Sequence, residues 1–400
     1  MNLTSSHPFW SVKNGIPANF PSLQRDLSCD VVVIGGGITG ALAAIHLVEA
    51  GAKTVVIDKR DIGTGSTSAS TGLLQYEIDV PLRELREKIG PQQAERSYRL
   101  CRNAIGKLGR LTKRLKIQCA FESKPSLYAA RHWNEVADFR EEYQLRKRLG
   151  FELQYLDADE VRALFPFSRP AALFSEDGAS VDPHRLTHGL LQAGIGLGLE
   201  VYDRTEMARY EERPRGVRIQ TAQGCTITAR RAVIAAGFEA KALLGIEAGS
   251  FLSTYALVSE PLPSKTLWHR NSLIWESGTP YLYLRTTSEG RIIVGGEDEP
   301  FDNAKRRDAL IAAKCRTLHG KFARLFPELE LEVAYGWAGT FGATKDGIAY
   351  IGVHPRFPHA SFALGYGGNG ITFSLIAAEI IRDAWIGRQN RDAELFRFGR

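Results

Sequence analysis

Asp30-Val31-Val32-Val33-Ile34-Gly35-Gly36-Gly37-Ile38-Thr39-Gly40 runs on through Ala41–Leu47 and, beyond Gly51, into Val55-Val56-Ile57-Asp58. The order is strand, glycine turn, helix, second strand, acid. Val31–Ile34 is a short apolar run, as a strand covered on both faces presents. Gly35, Gly37 and Gly40 keep G-x-G-x-x-G spacing. The first allows the tight turn, the second lets a pyrophosphate approach the backbone, and the third lets the helix lie close to the sheet. Ile38 and Thr39 open that helix, whose free N–H groups and positive end suit phosphate. Asp58 follows Gly40 by 18 residues, the place of a carboxylate that grips a ribose hydroxyl. Glycines alone are a weak signal; with strand, helix and acid in order they specify a dinucleotide site.

The remaining composition narrows the class. A chain of 400 residues holds two or three domain-sized units. No run of eighteen apolar residues occurs, so no membrane-spanning helix is expected. Met1–Trp10 lacks the basic and apolar regions of a secretory signal. The five cysteines are scattered, with no C-x-x-C, which argues against a disulfide framework or cysteine-based metal site and for a reducing cytoplasm. Lys and Arg exceed Asp and Glu, 51 to 45. Much of the excess lies at 96–116, where Tyr98, Cys101, Ile105, Leu108 and Leu115 mark an amphipathic helix with a basic outer face. A solvated face is the plain reading and a peripheral contact with an anionic membrane surface the alternative; nucleic acid is not an expected partner.

The chain has no internal repeat. Residues 1–27 read as a polar arm draped over the surface. Helical patterns fall at about 91–116 and 131–149, with a strand near 126–130. Asp182 caps a further helix. Val233-Ile234-Ala235-Ala236-Gly237 reads as another parallel strand ending in a turn. Residues 250–330 alternate like strands, and Tyr281, Tyr283 and Arg285 fall on one face. Ser361–Leu364 reads as a strand, Gly365-Tyr366-Gly367-Gly368-Asn369-Gly370 as a glycine turn, and Ile371–Trp385 as a helix. The expected fold is α/β, a Rossmann-like nucleotide-binding domain plus an α+β substrate domain with a large, mostly antiparallel sheet. The first domain takes 28–85, 176–249 and 335–400; the second takes 86–175 and 250–334.

Four motifs then carry a resemblance along some 340 residues: Gly35–Gly40 with Asp58; Gly65-Ser66-Thr67-Ser68-Ala69-Ser70-Thr71-Gly72-Leu73; Val233–Gly237; and Thr344-Lys345-Asp346-Gly347 through Gly365–Ile371. The chain resembles the D-amino acid oxidase-like family of FAD-dependent oxidoreductases, which includes glycine and sarcosine oxidases. The resemblance implies FAD. It places Asp58 and Lys59 at the adenosine ribose, and Ser66, Thr67, Thr71, Gly72 and Leu73 along the pyrophosphate and ring. Met207 matches a residue whose backbone meets the adenine, and Ala236 and Gly237 lie in a cofactor-contacting turn. Gly365, Gly367, Gly368, Asn369, Gly370 and Ile371 would face the pyrimidine half of the flavin. A glycine turn opening a helix also suits that place physically, because its N–H groups meet the negative charge of the reduced ring.

Three positions depart from the family. Phe341 stands where glycine and D-amino acid oxidases carry the arginine that clamps a substrate carboxylate. Arg285, beside Tyr283, is the candidate replacement, and Tyr283 matches a pocket tyrosine of glycine oxidase. Ile293 stands where sarcosine oxidase has a lysine that assists O2, which leaves O2 or a quinone or protein carrier as electron acceptor. Gly339 stands near the cysteine that links flavin covalently in sarcosine oxidases, so FAD is expected to be non-covalent. His354 and His359 read as turn residues, since no carboxylate or cysteine accompanies them, and no metal is expected.

The leading expectation is oxidation of the C–N bond of a small amine or amino acid by hydride transfer to flavin N5, with Tyr283, Arg285, Trp337 and Phe341 as pocket residues. One alternative is an FAD-dependent 2-hydroxy acid dehydrogenase, which needs a base near the flavin. A non-catalytic flavin-binding subunit is the other.

Overall fold

The computed structural model describes residues 4–5, 7–240, 245, 249–263 and 266–400. Two sheets organise the chain. In the first, Leu27–Ile34 lies between Thr54–Ile57 and Thr226–Ile234, parallel to both. Glu200–Tyr202 extends it in parallel on one side and Phe357–Leu364 on the other. Tyr350–His354 closes one edge antiparallel, and the hairpin of Met207–Arg213 and Gly216–Thr221 joins Thr226–Ile234. Val31–Ile34 is buried on both faces, as its apolar run requires. The Ile38–Glu49 helix covers one face with the Gly370–Trp385 helix packed against it.

The tight entry to the first helix depends on two glycines. Gly35 has φ +111°, and a Cβ there would lie 2.4 Å from the Ala235 carbonyl oxygen. A Cβ on Gly40 would lie 1.8 Å from the carbonyl oxygen of Gly35. Gly40 therefore sets the approach of helix to strand.

The second sheet runs in the order Val333–Ala343, Ser250–Ser259, Ile292–Glu299, Leu282–Thr286, Leu273–Glu276, Glu122–Ala129, Ala171–Ser180, Leu73–Leu74, with Leu153–Asp157 on Ala171–Ser180. All pairs are antiparallel except Leu273–Glu276 with Glu122–Ala129. Val333–Ala343 is an edge of this sheet, whereas the sequence pattern places 335–400 in the nucleotide-binding unit. Leu73–Leu74 also crosses over to it.

The expected surface arm is instead built in. Phe9, Trp10, Phe20 and Leu23 are buried, Thr4 bridges Gly339, and Ser5 N–H donates to Ala338 O at 3.0 Å. Three aromatics in 27 polar-looking residues were enough apolar surface to hold the segment against the core. The long basic helix spans Pro91–Arg114. Its outer cations are partly used within the chain: Arg96 pairs with Asp392, Lys107 with Glu379 and Arg114 with Glu49. No helix among the described residues is long and apolar enough to cross a membrane.

Candidate active site

The parallel strands of the first sheet end at Ile34, Ile57, Ile234 and Leu364, and the residues after each line one elongated cavity. Ligands of open α/β sheets sit at such carboxyl ends. The opposite wall comes from the second sheet, through Thr254, Trp275, Tyr281, Tyr283, Thr340 and Phe341.

At one end, Asp58 Oδ2 accepts from Gly36 N–H at 2.7 Å and Oδ1 from Arg60 N–H at 2.8 Å. Burial pushes the Asp58 carboxyl up, and these two bonds pull the other way. Lys59 Nζ donates to Glu239 Oε1 at 2.8 Å, and Arg60 Nη1 donates to Oε2 at 3.0 Å. Burial raises the Glu239 carboxyl, but the bonds from Arg60 and Lys59 outweigh it and hold the group below its ordinary range. Gly35, Gly37, Ile38, Thr39, Met207, Ala236 and Gly237 complete this end.

The middle is the Ser66–Ala69 helical turn. Thr67 Oγ1 accepts from Ile38 N–H at 3.0 Å, which couples the turn to the N-terminus of the first helix. Ser66 Oγ is buried without a hydrogen-bond partner and lies in the cavity wall. A buried hydroxyl left unpaired beside a helix N-terminus is chemically matched to a phosphate oxygen.

At the other end, Thr71, Leu73, Gln75 and Asp79 face Gly365, Gly367, Gly368, Asn369, Gly370 and Ile371. Asp79 Oδ2 accepts from Gly368 N–H at 2.6 Å. Asn369 Nδ2 donates to the carbonyls of Gln75 at 3.1 Å and Glu77 at 2.9 Å. The tail turn is thus tied to the segment after the second glycine-rich stretch, and the two ends of the chain meet. Trp275 stacks on Tyr128, centroids 3.8 Å apart, presenting a fixed wall.

Most of the residues singled out in the sequence converge here, including Tyr283 and Phe341. Arg285, Trp337, Gly72 and Gly40 do not line the cavity. Arg285 is on the Tyr283 face but one step further along, where the Gly72 segment covers it. It is 2 % exposed, and its Nη1 donates to the carbonyls of Gly72 at 2.7 Å, Val181 at 2.8 Å and Thr71 at 3.1 Å. Burial pulls its guanidinium down to about 10, still charged at any physiological pH. Its Nε and Nη1 donors are spent on backbone and it lies outside the cavity lining, the placement of a strut and not of a carboxylate clamp.

Trp337 is 1 % exposed; it stacks on Phe9 and its Nε1 donates to Ala69 O at 2.9 Å, under the Ser66–Ala69 turn. Gly72 packs against Val181, whose carbonyl oxygen a Cβ would approach to 2.1 Å. Gly40 serves the helix contact already described. Tyr281, on the Tyr283 face as strand alternation expects, also lines the cavity; Asp79, Trp275, Thr254 and Glu239 lie in no motif, and only the second sheet's register brings Trp275 and Thr254 there.

The family model described as DAO, FAD dependent oxidoreductase, matches residues 30–384. The chain belongs to this family. It is an FAD-dependent oxidoreductase. The glycine oxidase of Bacillus licheniformis is 28% identical over 370 residues, 90% of this chain and 93% of that one. The gamma-glutamylputrescine oxidoreductase of Escherichia coli strain K12 is 26% identical over 393 residues, 95% and 88% of the two chains. The crystal structure of glycine oxidase from Geobacillus kaustophilus shares the fold, with a TM-score of 0.76, 22% identity, and 91% and 96% of the chains covered. The unpaired Ser66 hydroxyl, the close backbone approach at Gly35 and the Asp58 carboxylate fit FAD.

Proposed function

We propose that the cavity holds FAD non-covalently and that the enzyme oxidises the C–N bond of a small amine or amino acid. When bound, FAD supplies a two-electron acceptor that takes a hydride at its N5 atom. Asp58 and Lys59 would hold the adenosine ribose, with the Met207 backbone at the adenine. Ala236 and Gly237 would border the same half, while Ser66 and Thr67 meet the pyrophosphate. Thr71 and Leu73 border the ring. The N–H groups of Gly370 and Ile371, at the positive end of the Gly370–Trp385 helix, would stabilise negative charge at the pyrimidine side, while Gly367, Gly368 and Asn369 N–H are bonded within the protein and fix the turn. Tyr283 and Phe341 would bracket the substrate and exclude water.

The meeting of the Gly365–Ile371 turn with Tyr283 and Phe341 at one cavity end carries this reading. Hydride loss from carbon beside a neutral amine needs no side-chain base. No histidine lines the cavity among the described residues, which disfavours the hydroxy acid alternative. The names of the relatives, glycine oxidase and gamma-glutamylputrescine oxidoreductase, also support C–N oxidation.

Gly339 supports the non-covalent mode, there being no thiol at that place in the wall. Ile293 is fully buried among Phe9, Trp10 and Trp337, so the lysine that assists O2 in sarcosine oxidase has no counterpart. This favours slow reoxidation in air and a quinone or protein acceptor. Anaerobic bleaching of the flavin against amines, amino acids and hydroxy acids tests the proposal. Bleaching by C–N compounds is expected; bleaching by hydroxy acids alone would overturn it.

A further inference from the structure

We infer that the substrate carries a second, protonated nitrogen, recognised by Asp79 and Asp298 around the Tyr281–Tyr283 pair, and is not held through a carboxylate. The inference rests on the amine reading of this site and narrows it. Among the described residues, the cationic side chains lining the cavity are Lys59 and Arg60, both engaged by Glu239 at the adenosine end. Phe341 occupies the place where a clamp would stand, and Arg285 is committed to three carbonyls. Among the described residues, no cationic side chain lines the substrate end to meet a carboxylate.

The same end is rich in groups that favour a cation. Asp79 lies in the wall, with Oδ2 bonded to Gly368 N–H and its carboxylate uncompensated by a positive side chain. Asp298 accepts hydrogen bonds from Tyr281 and Thr254, both in the wall, while its Oδ1 is buried without a partner. The Asp79 charge raises the cost of ionising Asp298 through space, after burial, so Asp298 lies within its field. Within reach of both carboxylates, the rings of Tyr281 and Tyr283 lie 5.8 Å apart, tilted by 39°. Aromatic faces beside carboxylates that no cationic side chain neutralises are ammonium-binding chemistry.

The held nitrogen is not the reacting one. Hydride loss needs a neutral nitrogen with a free lone pair, whereas an alkyl ammonium of ordinary pKa near 10.4 beside carboxylates stays protonated. A diamine or longer polyamine-like cation satisfies both demands in one molecule.

The test uses the FAD-loaded full chain and matched probes: α,ω-diamines of several lengths, the corresponding monoamines, and the corresponding ω-amino acids. Binding is read under anaerobic conditions from the spectral change of the oxidised flavin and from the thermal shift, neither of which requires turnover. The best diamine should bind at least ten-fold tighter than its monoamine, and the ω-amino acid weaker than the monoamine. Asp79→Asn and Asp298→Asn should each cut the diamine-to-monoamine ratio by about ten-fold, a ratio taken within one protein and so insensitive to partial unfolding. Equal binding of the three probe types, tighter binding of the ω-amino acid, or an unchanged ratio in both variants would overturn the inference. Failure of every C–N compound to bleach the flavin would instead defeat the amine reading, while diamine preference is still read from binding.

Discussion

Arg285 and Asp298 show how one sequence pattern conceals opposite roles. Strand alternation put Arg285 on the Tyr283 face, and that much holds. What alternation does not contain is the Gly72 segment lying over the strand one step further on. Arg285→Ala would remove a donor from the carbonyls of Thr71, Gly72 and Val181, of which Gly72 O keeps the Val181 N–H. Each buried oxygen left unpaired costs roughly 1–3 kcal/mol, so the variant should lose on the order of 3 kcal/mol of stability and retain FAD poorly. Its preference among amine probes should stay as in the parent; chemical denaturation and the flavin-to-protein ratio check this. Asp298 runs the other way. Burial pushes its carboxyl up to about 6, so ionisation at neutral pH opposes folding. Asp298→Asn should therefore raise the melting temperature at pH 8, with a gain of up to about 3 kcal/mol from the size of that shift, while weakening diamine binding. A variant that gains stability and loses recognition separates a functional carboxylate from a structural one.

At the scale of elements, the Ser66–Ala69 turn is held from beneath. Trp10 Nε1 donates to Ser70 O at 2.6 Å and Trp337 Nε1 to Ala69 O at 2.9 Å, with Phe9 stacked on Trp337. A four-residue helix has no stability of its own, so these indoles fix the place of Ser66 and Thr67. Trp10→Ala should cost about 3–5 kcal/mol as a buried truncation and lower FAD affinity at least ten-fold, measured by fluorescence recovery of released flavin. The glycine-bearing elements were legible because their spacing is dictated by the ligand backbone and helix approach, both local. The support beneath them was not, because it joins residues separated by 60 and 268 positions. The same reason hid Asp79, whose partner Gly368 N–H lies 289 residues away. Helices such as Pro91–Arg114 and Gly370–Trp385 appeared close to their expected bounds because periodicity and caps are written within one turn.

Over the whole molecule, the arm, the nucleotide-binding loop and the Pro183–Ile195 helix meet at two buried histidines, and acid should part them there. His184 and His188 lie edge to face, centroids 4.7 Å apart, with Phe20 stacked on His188 and His188 Nε2 3.2 Å from Ile62 O. Desolvation lowers both to about 4, so both are neutral in the folded protein. In the unfolded chain they take protons from about pH 6.5. Between about pH 6.5 and 4 the unfolded state binds more protons, and stability falls as pH falls, by up to about 3 kcal/mol for one histidine. Asp298 titrates with the opposite sign, because its raised pKa makes protonation near pH 6 favour the folded state. The wild-type profile alone mixes the two. Melting curves from pH 8 to 4 should separate them. His188→Gln keeps a donor for Ile62 O and does not titrate, so its stability should decline less on acidification than the wild type's. Asp298→Asn should decline more. If both variants run parallel to the wild type, the acid response arises elsewhere than at this junction.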